Sequence, residues 1–497
     1  MIYSLILGRE QSVLAMIKRT NSKLEWVKPE ISPEFQRSWE NIPEGLNARS
    51  QNIFQTIQET GLPTFKETSS PEQEAIWLLE VAAEIEHALL VEYLYSAYSI
   101  KSDTSNFRQK VTNIAVQEMG HLITVQNLLL AIGGNVYFER QDRSPQSSID
   151  PFTFKLEPFS KSALAKYVIA EMPLLSALSN EEKAEIEQIQ KEHQLDIKTQ
   201  INRVGALYLK IYWLFQSSDD PEGPWTLLKD LIPIEQQGKH ITSLDSLSLN
   251  IDFQTDDSEW LASVAGLQID VVRNRTDALN AIFRISDQGE GFEGSIDSHF
   301  ERFREMYRQY DSALPTIRDV PSNPFVSETP DLDPDRERNR ISHPIASILV
   351  DLADVRYQKM LLHFVQFFSY SKSGPQSSLR QDLIKWALSE MTKGIRVLSR
   401  AVQDLPRISS TDMVSPTTAA LAFTTPREVF PSSNDEQWEL LTQLLDRSQE
   451  LDSKLASLPG VEPGLIALLT TVVLSEDDDK RLTIATETTG LKDPLVV

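Results

Sequence analysis

Residues 70–100, SPEQEAIWLLEVAAEIEHALLVEYLYSAYSI, decide the fold. Ser70 stands at an N-cap, Pro71 at the first helical position and Gln73 at the third, a capping-box start. Leu79, Ala83, Glu86, Leu90, Tyr93 and Ala97 then recur at the i, i+4, i+7 spacing of one helix face. The pattern predicts a helix to about residue 100 whose inner stripe carries a carboxylate, Glu86. An ionised carboxylate buried alone is strongly unfavourable, so it must be paired, protonated or coordinated.

A second helix is predicted over about 107–132, stopped by Gly133-Gly134. Its stripe is Val111, Ile114, Glu118, His121 or Leu122, Val125 and Leu129, again with polar groups on an apolar face. Glu118-Met119-Gly120-His121 has Glu-x-x-His spacing. Residues i and i+3 share a helix face, so a carboxylate and an imidazole there can meet one metal ion. Carboxylate-bridged metal bundles combine single Glu residues from two helices with Glu-x-x-His from two others. Oxygen and imidazole donors suit iron and manganese. A lone Glu-x-x-His is weak, and Glu84-Ile85-Glu86-His87 supplies a second. The bland alternative for Glu118 and His121 is a helix-surface pair.

Working outward, a third helix is expected from Ser179, with Glu182 at N3, to about residue 215, and a fourth over about 276–288. Helical spacing resumes near Ser298, where His299, Phe303, Met306 and Tyr310 share a face. Residues 151–159 alternate as a short strand would. The domains expected are a leader (1–65), a helical bundle (66–311), a proline-rich linker (312–345), a C-terminal helical domain (346–475) and an acidic tail (476–497). The fold class is mainly α.

Composition narrows the function. The 497 residues contain no cysteine, which excludes disulfides, thiolate-bound haem and iron–sulfur clusters. A formal charge of −24 argues against nucleic acid or an anionic membrane as partner. No segment, including the apolar stretch 465–474, reaches a bilayer-spanning length. Residues 1–13 lack the basic start and cleavage site of a signal peptide, so cytoplasmic is the expected location. His193, His240, His343 and His363 lack ligand-spaced acids on an apolar face. Tyr95 and Tyr98 read as core. The glycines at 289–294 have no phosphate-loop lysine, and no nucleophile-elbow pattern occurs.

The run from Glu86 to Tyr95, and Glu118-Met119-Gly120-His121 with its following glycines, resemble the first two helices of ferritin-like proteins. Further segments point to one branch: 152–159 (FTFKLEPF), Glu171-Met172-Pro173, 204–208 (VGALY), 288–291 (QGEG) and 298–303 (SHFERF). So do 353–357 (ADVRY) and 386–391 (WALSEM). The sequence is similar to the ferritin-like family of the iminophenyl-pyruvate dimer synthase domain, associated with violacein and indolocarbazole pigment pathways, over roughly 70–310 and into the C-terminal region. The resemblance implies a ferritin-like four-helix bundle and metal ligands Glu86, Glu118 (bridging), His121, Glu290 and His299. His87, Glu171 and Tyr93 are expected beside them. Two positions depart from the pattern: Ala206 stands where the third helix should offer a Glu, and Ile296 stands three residues before His299. One metal, two, or a degenerate site thus stay open.

The function this implies is a non-haem iron oxidoreductase or oxygenase, with manganese as a second option. It would use O2 on a small amino-acid-derived metabolite in secondary metabolism, and the protein could be a homo-oligomer. The alternative is a non-catalytic binding or scaffold protein with a degenerate site.

Overall fold

In a computed structural model, structure is described for residues 24–28, 57–140 (66, 67 and 69 apart), 154–173, 178–195, 203–217, 240–260 (243 and 245–248 apart), 266–290, 298–409, 416–425, 430–459, 461 and 481. The expectations for residues 1–13, 291–294, 465–474 and, Arg481 apart, the acidic tail fall outside these.

Helix α1, Pro71–Ser99, begins as its sequence dictates: the Ser70 side chain accepts from the Gln73 N–H, with proline in the first turn. Helix α2, Phe107–Ala131, ends where Gly133 takes φ +78° and the Gly134 N–H reaches back to Leu129. Only a residue without a Cβ adopts that backbone at little cost. Helices α1 and α2 pack along their whole length.

The other helices meet this pair in two storeys. On one half lie α5 (Arg203–Phe215) and α6 (Arg275–Glu290), packed on each other, with α5 also against α1. On the other half α3 (Lys161–Ala170) packs against α7 (His299–Ala313) and against α4 (Asn180–His193). Two separate hydrophobic clusters follow this division. Ala83, Leu122, Leu207 and Ile282 belong to one, and Tyr93, Ala115, Val168 and Phe303 to the other.

Two expectations change. The helix starting at Ser179 has its capping box with Glu182 but stops at His193, because Gln194 takes the left-handed conformation (φ 51°); α5 is a separate helix. The described part of the presumed strand, residues 154–159, is irregular, and α3 follows it, capped by Ser160. Backbone groups there find side-chain partners rather than a ladder: Lys155 N–H donates to Glu92, Leu156 N–H to Asn323 and Phe159 N–H to Ser99.

Strands are marginal. β1 (Leu24–Val27) pairs antiparallel with β2 (Leu62–Phe65), and β3 (Ile100–Ser102) with β4 (Thr316–Ile317). Helix α8 (Pro344–Phe368) is the centre of the C-terminal region. It is flanked by α9 (Ser377–Ser389), a π-helical turn at Glu390–Ile395, α10 (Arg396–Gln403) and α11 (Asn434–Ala456). The first hydrophobic cluster continues into this region, from Ile57 to Leu455. Trp260 stacks on Phe364 at 5.2 Å and Phe138 on the same ring at 5.6 Å. No described helix is long and apolar enough to cross a membrane.

Candidate metal centre

The polar side chains predicted on apolar faces meet where the two storeys join. Here α3 ends and α5 begins on one side, and α6 ends and α7 begins on the other. Unbroken, α1 and α2 carry Glu86 and Glu118 through the junction. Two buried groups of ligand-capable atoms result, each within 4.8 Å: Glu86, Glu118 and His121; and Glu118, Glu171 and His299. Glu118 is common to both.

The geometry is nearly two-fold. Glu118 Oε2 lies 3.0 Å from His121 Nδ1, and Glu118 Oε1 lies 2.9 Å from His299 Nδ1. Glu86 Oε2 is 3.3 Å from His121 Nδ1, and Glu171 Oε2 is 3.7 Å from His299 Nδ1. Each outer carboxylate accepts from a buried tyrosine, Glu86 from Tyr208 at 2.5 Å and Glu171 from Tyr93. The imidazole rings stack at 5.8 Å.

Glu171 occupies the C-cap of α3 and lines the same pocket as Gly205 at the start of α5. The acid beside His299 therefore comes from the end of α3 and not from position 206. His299 arrives not as the partner of a Glu three residues earlier but as the first residue of α7, after a Ser298 cap. Glu290 closes α6, and its side chain lies outside the described residues. His87 does not join the group. Adjacent helix residues point about 100° apart, and its Nε2 lies 2.5 Å from the Tyr357 hydroxyl, toward α8. The sequence reading missed Gln117 and Gln288 as partners of the two imidazoles.

Charges in this site lean on one another. Burial opposes an imidazolium at His121, but Glu118 and Glu86 outweigh it and raise its pKa well above the usual range. At His299 burial is likewise overcome by Glu118, and the pKa rises to about 9. Burial favours protonated Glu118, yet the two imidazoles hold it well below the ordinary carboxylate range. Glu86, desolvated and next to Glu118, is pushed up to about 7. Burial first, and Glu86 second, raise the Tyr208 pKa.

The donor set fits a pair of divalent cations. It offers three carboxylates and two imidazoles, the oxygen-and-nitrogen chemistry of iron and manganese sites. Glu118 Oε1 and His299 Nδ1 face each other at 2.9 Å, both buried and with no hydrogen bond to a third group. A facing pair of this kind is where a shared cation would find its donors.

A pocket with a cavity volume of about 80 Å³ opens onto Glu86, Glu118, His121 and Glu171. Leu89, Phe154, Tyr167 and Ile285 supply apolar wall, and Lys155, Lys166, Glu92 and Glu157 are its charged lining.

The helical bundle has counterparts among known proteins. Residues 79–308 match the ferritin-like family model. A 2-imino-3-(indol-3-yl)propanoate dimerase of Chromobacterium violaceum is 26% identical over 373 residues, 66% of this chain and 32% of that protein. The chain thus spans about a third of that relative's length. A solved ferritin-like protein from Caulobacter vibrioides aligns at 16% identity with a TM-score of 0.36, over 63% of this chain and 95% of that one. Residues 79–308 thus form a ferritin-like domain, and the chain is similar to an imine dimerase.

Proposed function

We propose that the chain is a ferritin-like oxidoreductase that holds two metal ions, iron foremost, and oxidises a small amino-acid-derived substrate with O2. One observation carries the reading: Glu118 presents one oxygen to each of two histidines, and each histidine has a further buried carboxylate beside it. Glu86, Glu118 and His121 would hold one ion, and Glu118, Glu171 and His299 the other. Bound there, iron supplies Lewis acidity and one-electron redox chemistry.

The protein's own part is positioning and exclusion. Tyr208 and Tyr93 fix the outer carboxylates, so their ligand oxygens are oriented before an ion arrives. Apolar side chains line the approach to Glu86, Glu118, His121 and Glu171, where a small substrate would enter. The name of the Chromobacterium relative supports an imino acid as the substrate class. The domain limits expected from sequence are retained as a proposal, with the bundle as the metal-holding part.

Metal analysis after anaerobic Fe(II) loading tests this reading. Two irons per chain are expected for the wild type and none tightly held by Glu118→Ala, with helix content by circular dichroism unchanged. Equal metal in both proteins would refute the centre and favour a scaffold role.

A further inference from the structure

Resting on that metal-pair reading, we propose that Gln117, clamped by Arg302, positions the histidine of the Glu171–His299 ion, and that Gln288 separately positions that of the Glu86–His121 ion. An imidazole has two nitrogens, and the hydrogen bond made by one decides which is left for a metal. In both histidines Nδ1 faces the carboxylates. The opposite atom, Nε2, meets a glutamine oxygen: Gln288 Oε1 at 2.8 Å for His121, and Gln117 Oε1 at 3.2 Å for His299.

An amide can be turned over, exchanging its oxygen and nitrogen. At Gln117 the chemistry fixes the answer. Arg302 Nη1 lies 2.8 Å from the same Oε1, and a guanidinium only donates. The atom it meets is therefore the oxygen, and His299 Nε2 must donate to that oxygen. A proton on Nε2 leaves Nδ1 as the ligand atom. Arg302 sits three residues beyond His299 on α7, one helical turn away, so clamp and ligand share one rigid element.

The other half is held differently. Gln288 Nε2 donates to Gln268 Oε1 at 3.4 Å. Gln268 belongs to a segment fastened to α2, where Asn127 Nδ2 donates to the Asp270 carbonyl at 2.7 Å. Gly120 permits the approach: a Cβ there would come within 2.5 Å of the Gln268 backbone oxygen. A cation orients one amide, and a neutral amide in a fastened segment orients the other. The two metal positions are thus separately tunable.

Cobalt(II) titration of the metal-free full chain, followed by visible absorption and dialysis stoichiometry, tests this. Wild type takes up two equivalents. Gln117→Leu weakens one of them about tenfold or more, the range for an outer partner of a ligand histidine, and spares the other. Gln117→Glu, still an acceptor beside Arg302, restores it. Arg302→Leu weakens the same equivalent while leaving Gln117 in place, which keeps the test alive should Gln117→Leu fail to fold. Combining Gln117→Leu with Glu171→Gln keeps one tight cobalt, because both changes strike one position. Gln288→Leu with Glu171→Gln keeps none. Equal weakening of both equivalents, or of neither, by Gln117→Leu overturns the inference. Absence of cobalt uptake by the wild type overturns the metal-pair reading itself, and the inference with it.

Discussion

Two buried charge clusters in this molecule have opposite surpluses. In the bundle, three carboxylates face two imidazoles. In the C-terminal region one carboxylate, Glu390 on the π-helical turn, faces three cations: Arg356 Nη1 at 2.8 Å, Lys359 Nζ at 3.2 Å and Arg481 Nη1 at 2.6 Å. Burial would protonate Glu390, but Lys359, Arg356 and Arg481 hold its pKa well below the usual range. Both Glu390 oxygens accept from guanidinium groups, whereas Glu118 Oε1 faces only the His299 imidazole. Burial of charge alone therefore does not mark a functional centre. An excess of acid beside a pocket suits a bound cation; a carboxylate enclosed by cations is already neutralised and serves to hold helices together.

The largest effect that would separate the two is on stability. Glu390→Gln should lower the unfolding free energy by about 3–5 kcal/mol, the cost of leaving buried partners without their counter-charge. Urea denaturation should give the same loss with chelator or with metal. Glu118→Gln should instead abolish the stabilisation that metal gives the wild type. A metal-dependent loss in Glu390→Gln would break the distinction.

Acid and alkali should attack the two regions in turn. In chelator-treated protein, His299 has a pKa raised from 6.5 to about 9. Its charge stabilises the fold fully below about pH 6.5, and that contribution is lost as pH rises through 9. His363 on α8 is pushed from 6.5 down to about 3, by burial first and then by Arg481. Its contribution is present above pH 6.5 and is lost as pH falls toward 3. Hydrogen exchange, corrected for intrinsic rates, should show α2 and α7 loosening before α8 between pH 7 and 10. Loosening of α8 first would contradict the assignment.

The smallest difference concerns the tyrosines. Tyr208→Phe and Tyr93→Phe should each weaken one metal equivalent by about 1.5–3 kcal/mol, the worth of a hydrogen bond to a charged group. Calorimetric titration would resolve it. An unchanged affinity in both would show that the carboxylates are oriented by packing alone.

Much of this was legible in the sequence because helical periodicity and ligand spacing coincide on α1 and α2. Glu86, Glu118 and His121 could be named from their own faces. His299 and Glu171 needed the family resemblance, since no local spacing ties either to the others. Both sit at helix ends, where neighbours come from elsewhere in the chain. Gln117 gave no signal, and Gln288 entered only as part of the QGEG segment: an uncharged amide on a helix is ordinary until the fold sets it against an imidazole. The break at Gln194 was hidden for a similar reason. Good helix formers surround it, and the left-handed turn is a local choice that periodicity does not record. His87 misled because adjacency in sequence was taken for adjacency in space.

Cutting the chain at 79 and 308 would isolate what homology recognises, yet not what can stand in water by itself. The faces of α1 and α2 turned away from the ligands are covered by α8 and its neighbours, with Val91, Leu122, Leu361 and Phe364 in a single cluster. Excision would lay that surface bare as a contiguous oily patch, large enough to drive clumping. For recombinant work the unit of expression is therefore broader than the unit of ancestry, and a fragment that precipitates would say nothing about whether its ligands are sound.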